Sequence, residues 1–275
     1  MDVSTAIPMP AKRPGWVFVS LATGLVLIGW LFNTPAGLLG KADAIGYAVC
    51  HRIAVRSFSL DGRPLSLCAR CTGMYLGALW TLVVQWRAAG RTGNHSGRTP
   101  SRKVLAVLGV LALAFIVDGS NSFASLLGIS GLYVPNNVLR LFTGIGFGIG
   151  MAAILFPVFN QTVWIDWQGT AALGGIRSLG APVGGGILLA LAVLSGNPLL
   201  LYPLTLFSAA GVIALLSLVY ATMLLVLLRR ENRFDRPAQL VLPLLAGFTV
   251  AMLQIGASDL ARFLLTGTWD GFHIG

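Results

Sequence analysis

The chain has 275 residues, of which 56% are hydrophobic and 10% charged, with a mean hydropathy of +0.81. A water-soluble domain carries about 25% charged residues, so this composition excludes a globule exposed to water on all sides and makes lipid the solvent for most of the surface. The net charge of +10 gathers at the ends of apolar runs, with no basic stripe interleaved with aromatics; this is a membrane-topology pattern and excludes nucleic acid as the expected partner.

The expected fold is all-α, a polytopic transmembrane helix bundle of about seven spans, read at roughly 20 residues per crossing. Residues 1–14 form an N-terminal tail, the first ten of them without ordered structure, and residues 15–275 a single integral membrane domain. The first span runs from Gly15 to Phe32; no small-residue cleavage site follows it, so it reads as a helix that stays and not as a signal peptide. Leu38 to Val49 is too short and mixed to count as a crossing. The second span covers Thr72 to Trp86, the third Val104 to Asn121 and the fourth Val138 to Phe159. The fifth, Pro182 to Leu194, is short and starts on Gly184, Gly185 and Gly186. The sixth, Leu199 to Leu228, is long enough to tilt or to break near Pro203. The seventh covers Leu240 to Leu265. Gly90 to Ser101 is a flexible polar loop.

The charges orient these spans. Lys12, Arg13, Arg87, Arg91, Arg98, Arg102, Lys103, Arg177, Arg229, Arg230, Arg233 and Arg236 all fall on one side if the spans alternate. The positive-inside rule makes that side cytoplasmic. The N-terminus and the basic loop 87–103 are then cytoplasmic, the C-terminus is outside, and the protein sits in the cell inner (cytoplasmic) membrane. The loop 38–71 breaks the pattern: it lies outside yet carries Lys41, Arg52, Arg56, Arg63 and Arg70. Its arginines are expected to serve another purpose, unless Leu38 to Val49 re-enters the bilayer and moves the whole segment.

That segment holds all three cysteines of the chain: Cys50, followed by His51 and Arg52, then Cys68 and Cys71 at C-x-x-C spacing where a helix begins. Asp61-Gly62 and Pro64 are turn residues that fold the chain back and bring Cys50 toward the pair. Three thiolates plus one nitrogen or oxygen donor complete a tetrahedral zinc site. His51, Asp118, His273 or water are the candidates for the fourth position. The other readings are a disulfide between Cys68 and Cys71 with Cys50 spare, or buried thiols without function.

Arg52, Arg56 and Arg70 lie close together at a membrane boundary, and guanidinium groups pair with phosphate through two parallel hydrogen bonds. An anionic lipid or phosphorylated substrate is the expected partner beside the bilayer itself; plain snorkelling to headgroups is the alternative. Asp118, Ser120 and Asn121 end span three, Asn136, Asn137 and Arg140 open span four, and Asp259 and Arg262 lie late in span seven. Ionised groups at membrane depth face a partner or a cavity, and all of these fall in the same half as Cys50 to Cys71. Asp118 is a candidate acid/base or ligand, or a structural partner of Arg140. Arg52, Arg56, Arg70, Asn137 and Arg140 are the candidate substrate-binding residues. Gly144, Gly146, Gly148 and Gly150 read as close helix packing and not as a nucleotide loop.

The runs Cys50-His51-Arg52, Arg56-Ser57-Phe58 and Cys68-Ala69-Arg70-Cys71-Thr72-Gly73 carry a resemblance. So do Asp118-Gly119 and the stretch from Asn137 to Gly144. From about Ala44 to Ile154 the chain resembles a prokaryotic family of predicted multi-pass membrane proteins known only as a domain of unknown function. The resemblance implies where the site lies and names no reaction. The function expected is a membrane protein with a Cys-rich, zinc-binding site that acts on or moves an anionic, lipid-linked or small, substrate. The alternatives are a non-catalytic assembly subunit with a structural Cys cluster, or a thiol–disulfide redox protein.

Overall fold

The computed structural model describes residues 13–90 and 95–271. Lys12, Arg91, His273 and the first ten residues lie outside them. The helices are α1 (Arg13–Asn33), α2 (Gly37–Val49), α3 (Ala69–Gly90), α4 (Arg102–Leu126), α5 (Asn137–Val163), α6 (Gly180–Leu194), α7 (Pro198–Leu227) and α8 (Val241–Thr266). Six of them, all but α2 and α3, form segments long and apolar enough to cross a membrane, α6 and α8 together with the short turns that lead into them. With α3, the seven long helices stand where the seven spans are expected. The helix α7 runs through Pro203 without a break; neighbouring helices make such a proline tolerable in a membrane bundle. The segment too short to cross is α2, which packs on α7 and α8.

The 22-residue α3 carries Arg70 near its start and Arg87 near its end. It can be less apolar because it meets little lipid. It packs against α5, α6 and α7, and among its described side chains only Trp86 and Arg87 are exposed. A helix sheathed by other helices has protein, not hydrocarbon, as its solvent.

The most extensive helix contact is between α3 and α5, and glycines make it. A Cβ on Gly73 would strike the carbonyl of Leu141, and one on Gly77 that of Ile145. From the other side, Gly144 lies on the carbonyl of Arg70 and Gly148 on that of Met74. Each helix contributes two glycines four residues apart, the small-residue spacing that lets two backbones touch in a bilayer. The four glycines expected to pack therefore divide. Gly144 and Gly148 face α3, Gly146 faces Leu111 of α4, and Gly150 has open space around it.

The connections alternate between two ends of the bundle. At one end three of them meet: Gln168 donates from its backbone to His95 (2.7 Å), and Ile165 to Phe234 (3.1 Å). Arg87, Arg98, Arg102, Lys103, Arg177, Arg229, Arg230, Arg233 and Arg236 all stand exposed there. At the other end lie the segment 50–68, the loop 127–136 and the end of α8. Its basic residues Lys41, Arg52, Arg56, Arg70, Arg140 and Arg262 are half-buried or buried, and only Arg63 is exposed.

The glycine contact makes a prediction with opposite signs at two positions. Gly148→Ala drives a methyl group into a backbone carbonyl and is expected to destabilise the protein by about 1–3 kcal/mol. Gly150→Ala meets nothing and is expected to be neutral or stabilising by up to about 1 kcal/mol, through helix propensity. Thermal melts of the two variants in one detergent check the contrast; equal melting temperatures would contradict it.

Candidate functional site

Three separate points of the chain bring the cysteines together. Cys50 ends α2, with its N–H on the carbonyl of Gly46 (2.8 Å). Gly46 in turn leaves no space for a side chain against the carbonyl of Ser66, so α2 lies directly on the stretch before α3. Cys68 immediately precedes α3 and Cys71 lies in its first turn. Between them a two-residue-strand hairpin pairs Ser59 with Pro64 and Leu60 with Arg63. Asp61 and Gly62 both have positive φ (49° and 80°), as the tight Asp-Gly hairpin turn requires. The hairpin returns the chain to Cys50.

The three Sγ atoms lie within 4.8 Å of one another, and none of the three cysteines is in a disulfide. Cys50 Sγ accepts the backbone N–H of Cys68 (3.3 Å) and of Arg52 (3.5 Å). The left-handed backbone of Arg52 (φ 52°) turns that N–H back toward the sulfur. The Cys50 thiol is held well below its ordinary pKa, because the Cys68 and Cys71 thiols and these N–H groups stabilise its thiolate against the effect of burial. Cys68 is pushed up to about 12, chiefly because its proton is bonded to Cys50. The three sulfurs lie in an apolar shell that includes Ala42, Ile45, Leu67 and Val212.

His51 stands outside this group of sulfurs, although its sequence position beside Cys50 made it a candidate ligand. Its Nδ1 accepts the N–H of Ile53 (3.2 Å), and burial lowers its pKa. A neutral imidazole accepting at Nδ1 carries its proton on Nε2 and offers no lone pair there. Arg262 of α8 holds the same turn from behind, donating to the carbonyls of Tyr47 (2.7 Å), Cys50 (2.6 Å) and His51 (3.2 Å).

Beside the sulfurs, Arg70 forms an ion pair with Asp118 of α4. It also donates to the Asp118 carbonyl (3.1 Å) and to Ser122 Oγ (2.9 Å). Arg140 of α5 reaches the same Ser122 Oγ (3.4 Å) and Asn137 Oδ1 (2.8 Å). Arg56 donates to the Ser122 carbonyl (3.1 Å). Asn137 ties α5 to the Cys segment through the carbonyls of Val55 (3.2 Å) and Ser57 (3.4 Å). Three guanidinium groups therefore converge on Ser122, and one of them, that of Arg70, is paired with the carboxylate of Asp118.

Two expected roles change here. Asp118, 1% exposed, accepts from Tyr133 Oη (2.9 Å) and Thr143 Oγ1 (3.3 Å) as well as from Arg70. The ion-pair partner of Asp118 is Arg70, not Arg140. Arg52 is not in the Ser122 group: it pairs with Asp43 (3.1 Å) and donates to the Trp269 carbonyl (3.0 Å). Ser122 was not singled out from the sequence. Its signal was there, four residues after Asp118 and so on the same helix face. Asp43, which also pairs with Arg63 and accepts from Ser66 Oγ (2.7 Å), left no local signal.

The family described as Predicted membrane protein (DUF2085) matches residues 50–154, the stretch that holds the Cys segment, α3, α4 and most of α5. An uncharacterized protein of Methanothermobacter thermautotrophicus is 35% identical over 106 residues, 38% of this chain and 83% of that protein. An uncharacterized protein of Methanocaldococcus jannaschii is 26% identical over 121 residues, 44% of this chain and 70% of that protein. No solved structure matches the chain.

Breaking a buried ion pair by removing one partner costs about 3–5 kcal/mol. Asp118→Leu is expected to lower the melting temperature strongly, and the double variant Asp118→Leu/Arg70→Leu to recover a large part of the loss. A double variant no better than the single one would mean that Asp118 does more than hold Arg70.

Proposed function

We propose that this chain, which belongs to the DUF2085 family of predicted membrane proteins, holds a metal ion on Cys50, Cys68 and Cys71 beside an anion seat built by Arg56, Arg70 and Arg140. The observation that carries the reading is the mutual approach of three reduced sulfurs. Three thiolates on one zinc ion at about 2.3 Å stand roughly 3.8 Å apart, inside the spacing found here. The N–H groups on Cys50 Sγ are the kind of outer support that holds a metal thiolate in place. Among the described residues no fourth Cys, His, Asp or Glu joins the group. Where water fills the fourth position, a zinc ion there would supply Lewis acidity or a bound water of lowered pKa.

Three arginines against one carboxylate leave positive charge that an anion can neutralise. Arg70 follows Cys68 by two residues, so anion and metal are within one helical turn of each other. The substrate class this favours is an anionic molecule, a lipid-linked phosphate or a small phosphorylated compound, acted on or moved at the membrane boundary. Asn137 positions Arg140 and joins the seat to the Cys segment.

The two ends of the bundle support an orientation. Exposed arginines gather at one end and inward-bonded ones at the other, so the exposed set is the topological signal. We place that end, with the loop 87–103 and the N-terminus, in the cytoplasm and the Cys segment 38–71 outside, in the cell inner membrane. The chain from residue 15 onward then forms one integral membrane domain. Reporter fusions after Asn94 and after Gly128 are expected to read cytoplasm and exterior respectively; the reverse at either point would overturn the orientation.

Purified protein is expected to carry about one zinc ion per chain, lost on Cys68→Ser. Alkylation of the thiols without reductant separates the readings further. The metal centre predicts few reactive thiols before chelation and all three after it, because coordination holds them reduced and blocked together. If two thiols appear only after reduction, a disulfide is present and the metal reading fails. If all three react in the native protein without a chelator, the cysteines bind nothing.

A further inference from the structure

The protein bonds of the three converging arginines leave some of their donors unused. Arg56 donates through Nη2, Arg70 through Nε and Nη2 and Arg140 through Nε and Nη1. Arg56 Nη1, Arg70 Nη1 and Arg140 Nη2 meet no acceptor among the described residues, and none of them is enclosed, so each keeps accessible surface. Guanidinium donors that are reachable and unspent are what an anion needs. The place also lies at the edge of the bundle. The helix α4, which supplies Asp118 and Ser122, packs on α5, and Ile116, Val117 and Phe123 on its other faces are exposed.

Charge and surroundings narrow the class of anion. Three guanidinium groups against the one carboxylate paired with them leave two positive charges in surplus. A phosphate monoester carries about −1.5 to −2 at pH 7; a diester, with a single negative charge, leaves the surplus half matched. Exposed apolar side chains flank the polar ones. Val55 precedes Arg56, Val138 follows Asn137, and Leu132 and Val134, 83% and 87% exposed, bracket Tyr133, whose hydroxyl lies on Asp118. Asn121 holds that loop in place, accepting from the Leu132 N–H (2.6 Å) and donating to the Tyr133 carbonyl (2.9 Å). Apolar groups fixed in this way around a cationic seat favour a ligand that brings hydrocarbon with its phosphate. We propose that the seat takes the phosphate-monoester headgroup of a lipid, whose apolar chains pass Leu132 and Val134 into the bilayer beside α4. This rests on the anion seat proposed above and narrows its occupant to one source.

The test is native mass spectrometry of the full-length protein from a neutral detergent, with dioleoyl phosphatidic acid, dioleoyl phosphatidylcholine and glycerol 3-phosphate as probes. Phosphatidic acid is expected to bind about tenfold more tightly than phosphatidylcholine, and Arg56→Gln to weaken it by a similar factor, the effect of one hydrogen bond between charged groups. The double variant Leu132→Asn/Val134→Asn changes only exposed side chains and is expected to weaken phosphatidic acid about fivefold. It decides the matter if Arg56→Gln does not fold. Glycerol 3-phosphate, the same headgroup without chains, is expected to displace little of the lipid at equal concentration. Displacement mole for mole, with the double variant unchanged, would leave the anion seat standing and overturn its lipid occupant. Equal affinity for the two lipids would overturn the phosphate-monoester class. Binding unchanged in both Arg56→Gln and Arg140→Gln would place the lipid elsewhere and overturn the proposal. Binding of none of the three probes would remove the anion seat itself.

Discussion

Where Gly73 and Gly77 of α3 meet Gly144 and Gly148 of α5, backbone touches backbone, and the polar end of the molecule is arranged by that contact. In lipid the hydrophobic effect does not draw helices together, so close packing has to do it. The contact begins at the first turn of α3, with Gly144 on the carbonyl of Arg70. It therefore fixes the depth of Arg70 and Cys71 against Arg140 and Asn137 in the first turn of α5. A side chain on either glycine row would push the helices apart and move the guanidinium groups away from Ser122. The small residues that look like a packing detail thus set the geometry of the charged site.

The second constraint is the cost of charge near hydrocarbon. The protein meets it differently at its two ends. Exposed arginines at the basic end reach water or headgroups and need no protein partner. At the Cys end the basic groups turn inward: Lys41 onto the carbonyl of Thr34 at the end of α1 (3.0 Å), Arg52 and Arg63 onto Asp43, Arg70 onto Asp118 and Arg262 onto three carbonyls. Of the basic residues at this end, only Arg63 is exposed.

The sulfurs obey the same logic. A buried thiolate is costly unless hydrogen bonds or a cation offset it. Here two N–H groups, one from a left-handed arginine, converge on Cys50. The segment common to the family starts at Cys50 and ends in α5, so it contains the sulfurs, the three converging arginines, Ser122 and the glycine contact.

The positions of the long helices were legible in the sequence, because a bilayer demands long apolar runs and the solvent requirement acts residue by residue. The approach of Cys50 to Cys68 and Cys71 was legible too, since Asp61-Gly62 is a strong local turn signal and the three cysteines lie close in the chain. Which side chains serve which partner was not. His51 adjoins a sulfur in sequence, yet bonds to Ile53. Arg52 pairs with Asp43 and stands apart from Ser122, Asp118 pairs with Arg70 and not with Arg140, and Gly144 and Gly146 face different helices. Periodicity and solvent preference are local properties that a sequence displays directly. The partner of a buried polar group depends on which helix faces meet, and that is decided by packing between segments far apart in the chain.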